Sequence, residues 1–151
     1  RTGGGLQMSG VLEETTSREI DKDHVVRRVD DWVGRIDRLY RQIEEWLSSG
    51  WTASRVGAVR MHEEIMQKFD VPARNLPVME LSCNGKAFAR IEPRSLWIIG
   101  ADGRLDMFVG PVHDVIIDSA ENFEPADWQI APLSDRRNLR PLNRQTLSEV
   151  L

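Results

Sequence analysis

HVVRRVDDWVGRIDRLYRQIEEWL, residues 24–47, is the stretch that dictates how the rest of the chain must be arranged. Counted in sevens, Val25, Trp32, Leu39 and Trp46 fall on one line, and Val29, Ile36 and Ile43 fall on a second beside it. Alternating steps of four and three stack side chains along one side of an α-helix. Val26, Val33, Tyr40 and Leu47 widen this apolar face to three positions per heptad. A stripe that wide suits packing on a sheet or in a multi-helix core better than the narrow seam of a two-stranded coiled coil. Asp31–Arg35 and Asp37–Arg41 lie four apart in the favourable order and add roughly 0.3 kcal/mol apiece. Gly34, beyond the stripe, should cost about 1 kcal/mol relative to alanine. Asp21, Asp23 or a Thr16–Glu19 capping box can start the helix. Ser48-Ser49-Gly50 ends it, with Gly50 as the left-handed residue past the last turn.

Upstream, Ser9 to Lys22 is polar and without period, which predicts a flexible lead-in over 1–19. Arg1–Gln7 reads as a cloning remnant or upstream linker, with Met8 as a native start. Residues 20–151 are expected to form a single domain, since 151 residues at 40% hydrophobic content suffice for one substantial core. No apolar run approaches the roughly 18 residues of a membrane span, and no signal-peptide pattern is present. The lone Cys83 precludes an internal disulfide and fits a cytoplasmic, reducing setting. A net charge of −4 argues against a wholesale nucleic-acid or acidic-membrane binder. Of the 20 basic residues only Lys22, Lys68 and Lys86 are lysine, a bias that a GC-rich bacterial genome accounts for.

Downstream of the helix, Val59, His62, Met66 and Phe69 share helical spacing and predict a short helix over 60–69, stopped by Asp70-Val71-Pro72. The alternation Met61, Glu63, Ile65, Gln67, Phe69 would also admit a strand. After Pro77 the texture becomes that of hairpins. Val78–Ser82 and Lys86–Ile91 flank Asn84-Gly85, which supplies the positive φ angles of a tight turn. Leu96–Ile99 and Arg104–Val109 flank Gly100-Ala101-Asp102-Gly103, and Gly110-Pro111 precedes a strand over His113–Asp118. Leu96-Trp97-Ile98-Ile99 and Val115-Ile116-Ile117 are apolar on consecutive residues, so both faces of the sheet should be covered there. Trp128 and Ile130 suggest a last edge strand, and Asn143 can cap a final helix over 144–151. The fold expected is α+β: the long N-terminal amphipathic helix packed on an antiparallel meander of about five strands, with short additional helices.

Five sets of residues bear on function. Asp106, His113 and Asp118, with Asp114, bring acids onto neighbouring antiparallel strands, where oxygen ligands can hold Mg²⁺ or Mn²⁺ and activate water. The arrangement resembles the acidic hairpin of restriction-like nucleases. Where that pattern places a lysine, however, this chain has Asp118-Ser119-Ala120. A zinc site fares worse, since His24, His62, His113 and Cys83 show no paired short spacing and His62-Glu63-Glu64 lacks the second histidine of a metalloprotease helix. Cys83 could act as a nucleophile with His62 or His113 as base, but it sits beside an Asn-Gly turn with no visible oxyanion device, and no Gly-x-Ser-x-Gly elbow is present. Arg136, Arg137, Arg140 and Arg144 could clamp an anion, nucleic acid included. The preferred reading pairs them with the acidic stretch 102–127, which holds seven acids and Arg104 alone as a base. Trp32, Trp46 and Tyr40 mark a partner surface if the chain's own sheet does not cover them.

With no complete catalytic or metal set, the sequence favours a non-catalytic binding or accessory module that contacts a protein partner or a second copy of itself and needs no cofactor. The alternative is a metal-assisted, nuclease-like hydrolase built on Asp106, His113 and Asp118.

Overall fold

The computed structural model describes residues 20–97 and 103–151. The lead-in over 1–19, its Thr16–Glu19 cap and the hairpin loop over 98–102 lie outside the described residues.

Helix α1 spans Lys22–Trp46 without interruption at Gly34. Asp21 caps it, its carboxylate accepting the His24 N–H at 2.9 Å, which satisfies one of the orphan donors of the first turn. Val25, Val29, Trp32, Ile36, Leu39, Tyr40 and Ile43 are all buried. At about 1.5–3 kcal/mol per buried side chain, this stripe is the largest single contribution to holding helix and sheet together. The helix stops two residues sooner than Gly50 would imply. Leu47 is already extended, and Gly50 (φ 91°) serves the turn into the next strand, its carbonyl accepting the Asn84 N–H at 2.9 Å.

Seven strands, not five, follow as one antiparallel meander in strict chain order. They are β1 (Trp51–Met61), β2 (Arg74–Cys83), β3 (Lys86–Ser95), β4 (Arg104–Val109), β5 (Val112–Asp118), β6 (Trp128–Pro132) and β7 (Arg140–Pro141). Helix α2 covers Glu64–Lys68 between β1 and β2, and α3 (Arg144–Val150) closes the chain. The helix expected over 60–69 is therefore confined to its middle, and Trp51 opens an unforeseen strand. Strand β1 escapes the pattern because it lies at the sheet edge, where seven of its eleven residues are exposed. A bulge between Arg55 and Ala58, with Gly57 at φ 72°, breaks its alternation further.

The Asn84-Gly85 turn is as expected, at φ 51° and 84°. The second hairpin differs: its first strand is the far half of β3, with Ser95 paired to Arg104, rather than Leu96–Ile99. Leu96 and Trp97 lie in a bend, and Ile98 and Ile99 lie outside the described residues. Glu63 straps that bend down, its carboxylate accepting the N–H groups of Leu96 at 2.7 Å and Trp97 at 3.3 Å and the Ser95 hydroxyl at 3.1 Å. Leu96 is buried by that turn, not by a strand apolar on both faces.

Under α1 the inner face of the sheet presents Leu76, Met79, Leu81, Ala89, Ile91, Leu105, Met107, Ile116 and Ile130. Gly103 marks the closest approach: a Cβ there would come within 2.3 Å of the Trp32 ring. Asn143 caps α3 through a reciprocal capping box with Thr146. Among the described residues no helix is long and apolar enough to cross a membrane.

Candidate functional site

Register decides what the acidic strands can do. Across the β4–β5 hairpin Leu105 faces Ile116, Asp106 faces Val115 and Phe108 faces His113. Side chains alternate, so Asp106 and His113 share the outer face, while Asp118 shares the inner face with Ile116. The proposed trio of Asp106, His113 and Asp118 is split by the thickness of the sheet. Among the described residues no three His, Cys, Asp or Glu side chains converge to hold a metal ion.

Each half of the split trio has its own partners. On the outer face Asp106 is buried, and its Oδ1 accepts from Arg104 Nε at 2.8 Å. Its Oδ2 lies 3.7 Å from Arg94 and 3.3 Å from His113 Nε2. The His113 contact is within ion-pair reach but off the geometry of a hydrogen bond, so neither atom has a hydrogen-bond partner among the described residues. The His113 ring packs on Phe108 with centroids 4.3 Å apart. On the inner face the fully buried Asp118 accepts Arg35 at 2.7 Å and the N–H groups of Ala120 at 3.0 Å and Asp127 at 2.9 Å. Arg35 also donates to Asp31 and to the Glu124 carbonyl. This network ties α1 to the end of β5 and the acidic loop beyond it. Asp118 is thus engaged as an internal strut, with both oxygens used.

Asp114, between these groups in sequence, is buried on the inner face. Burial pushes its carboxyl above the ordinary value, against the downward pull of Arg140 and His113.

Of the C-terminal arginines, expected to lock onto the acidic stretch, only Arg140 acts on it among the described residues, through its electrostatic pull on Asp114. Its ion pair is with Glu149 of α3 at 2.6 Å, and Arg136, Arg137 and Arg144 are exposed. The buried Asp118 and Asp106 are claimed instead by Arg35, and by Arg94 and Arg104. Trp32 and Tyr40, proposed for a partner surface, are wholly buried in this chain's own core. The Tyr40 hydroxyl donates to Pro77 O at 2.7 Å, and burial raises its pKa. Trp46 alone of the three is half-buried, at the mouth of a cleft. The other candidates stay apart: His62 Nε2 lies 3.1 Å from Val71 O, His24 meets the Phe123 ring, and Cys83 is a free thiol at the end of β2.

Two features carry binding potential that the sequence did not disclose. One is the outer side of β1, which among the described residues pairs only with β2. The other is the cleft, about 360 Å³, between α1 and the β6–β7 end of the sheet. No protein-family model matches the chain, and neither the curated proteins nor the solved structures offer a match.

Proposed function

We propose that the chain is a non-catalytic binding module that associates with a second copy of itself by antiparallel pairing of β1 edges. The observation that carries this reading is an eleven-residue edge strand whose outward backbone groups have no neighbouring strand among the described residues. Such edges pair readily unless charge, proline, brevity or a bulge prevents it, and the bulge between Arg55 and Ala58 interrupts β1 at one point only. Strand β1 has no proline. Of its two charged residues, Arg55 is drawn inward, paired with Asp37 at 2.8 Å and packed over the Tyr40 ring. Arg60 is left as the one outward-facing charge guard. Val56 is exposed midway along the strand, and Trp51 packs edge-on against the exposed Phe88 at its start. Antiparallel pairing about a two-fold axis uses one patch twice, which a single self-complementary strand satisfies. The division of the acidic trio between two faces supports the non-catalytic half of the reading.

Sedimentation equilibrium and light scattering on the wild type and on Val56→Lys test it. A two-chain mass at micromolar concentration is expected for the wild type. Lysine on an exposed edge position leaves the fold intact but opposes its symmetry mate, so Val56→Lys should run as a monomer with an unchanged far-UV circular dichroism spectrum and without the wild type's concentration-dependent melting temperature. A wild-type monomer, or a dimer indifferent to Val56→Lys, would overturn the proposal.

A further inference from the structure

We infer that the cleft between α1 and the β6–β7 end of the sheet is a binding site for a small aromatic carboxylate, with Arg38 as its anion anchor. The site lies at the other end of the strand order from β1 and does not depend on self-association. Its volume of about 360 Å³ falls within the roughly 300–1,000 Å³ range of small-molecule sites. Its walls are apolar and aromatic: Trp46 from α1 and Trp128 from β6, both half-buried, over the buried Leu39 and Leu142. Flat π-systems stack on such faces.

The cleft also holds two arginines in different states. Arg35 is already neutralised by Asp118 and Asp31. Arg38, one turn on, is exposed and lines the cleft. Among the described residues its one electrostatic interaction is a weak pull on the neighbouring Asp37, whose carboxylate is hydrogen-bonded and paired to Arg55 and paired to Arg41. Its guanidinium lies back along the helix over Gly34, where a Cβ would come within 3.2 Å of the nearer terminal nitrogen. A glycine that costs about 1 kcal/mol in mid-helix thereby provides the bare backbone surface on which this cation rests. A planar guanidinium with open donors recognises a carboxylate through two parallel hydrogen bonds.

Charge narrows the ligand further. Asp127 lines the same cleft, its Oδ1 held by the Gln129 amide at 3.0 Å. One open cation beside one fixed anion suits a monoanion and disfavours a phosphate dianion, and the twin indoles ask for a flat hydrophobic body.

The test is a ¹H–¹⁵N NMR titration of the whole chain with 2-naphthoate, set beside 2-naphthalenemethanol and 2-naphthyl phosphate. Saturable shifts of the Trp46 and Trp128 indole N–H signals are expected with 2-naphthoate and much weaker ones with the other two. Arg38→Gln, a change at an exposed position, should weaken 2-naphthoate roughly tenfold, as loss of a charge-assisted contact implies, and leave the alcohol unaffected. Equal binding of acid and alcohol, tighter binding of the phosphate, no saturable shift at millimolar probe, or full affinity in Arg38→Gln would each overturn the assignment.

Discussion

Asp114 shows how a single buried side chain makes stability depend on pH. It is nearly inaccessible, and its Oδ2 has no hydrogen-bond partner among the described residues. Burial disfavours the charged form, so the folded-state pKa lies above the ordinary 3.8, with Arg140 and then His113 offsetting part of the rise. An acid of raised folded pKa stabilises the fold fully below its unfolded value, and that contribution is lost as the pH climbs through the folded value. At neutral pH the native state therefore carries a costly buried carboxylate. Asp114→Asn removes that cost and should raise the midpoint of urea unfolding at pH 7, with the gain shrinking as the pH is lowered towards about 4. A loss of stability at pH 7, or a gain of the same size at every pH, would contradict this account. Asp106 contrasts with it: Arg104 and Arg94 stand beside its carboxylate, so the same residue type serves there as the centre of an ion-pair cluster.

Helix α1 is attached to the sheet by two kinds of force, and only one can be read from spacing. The apolar stripe is visible because a period of seven is a local property of the chain. The tie from Arg35 to Asp118 joins residues 83 apart and takes an arginine that sequence spacing assigns to a surface pair with Asp31. Removing one member of a buried pair strands the other, so Asp118→Ala should cost about 3–5 kcal/mol in chemical denaturation. The double variant Arg35→Met/Asp118→Leu should recover only part of that loss, because the Ala120 and Asp127 N–H groups still lack their acceptor. A cost below about 1 kcal/mol for Asp118→Ala would show the pair to be dispensable. The hairpin at Asn84-Gly85 and the Asn143 cap were legible because turn and cap chemistry is local too. Strand β1 was not, since an exposed edge strand has no buried alternation to display. The split of Asp106 from Asp118 was within reach: the two-residue turn Gly110-Pro111 pairs Val109 with Val112 and so fixes the parity of every residue beyond it. Strand membership alone leaves open which face each acid occupies.

The molecule as a whole is closed by its last helix. Helix α3 follows β7, the final strand, yet Leu147 and Leu151 line one small cavity with Trp46 and Leu47 from the end of α1 and Trp51 from the start of β1. The meander thus wraps α1 far enough for a seven-residue helix to bridge the first and last strands of the sheet. If that bridge belongs to the same cooperative unit as the stripe of α1, a local deletion in it must be felt throughout. Leu147 is 2% exposed, and truncating it removes apolar contacts at the junction of three elements. Leu147→Ala should lower the unfolding free energy by about 2–4 kcal/mol, within the range for buried leucines. The far-UV circular dichroism and tryptophan fluorescence transitions should move together with an unchanged denaturant slope. An α3 that merely frays would give a smaller loss and separate the two probes, because Trp46 and Trp51 would report its release before the sheet unfolds. Coincident curves require that the seven strands, the long helix and the terminal bridge share one transition.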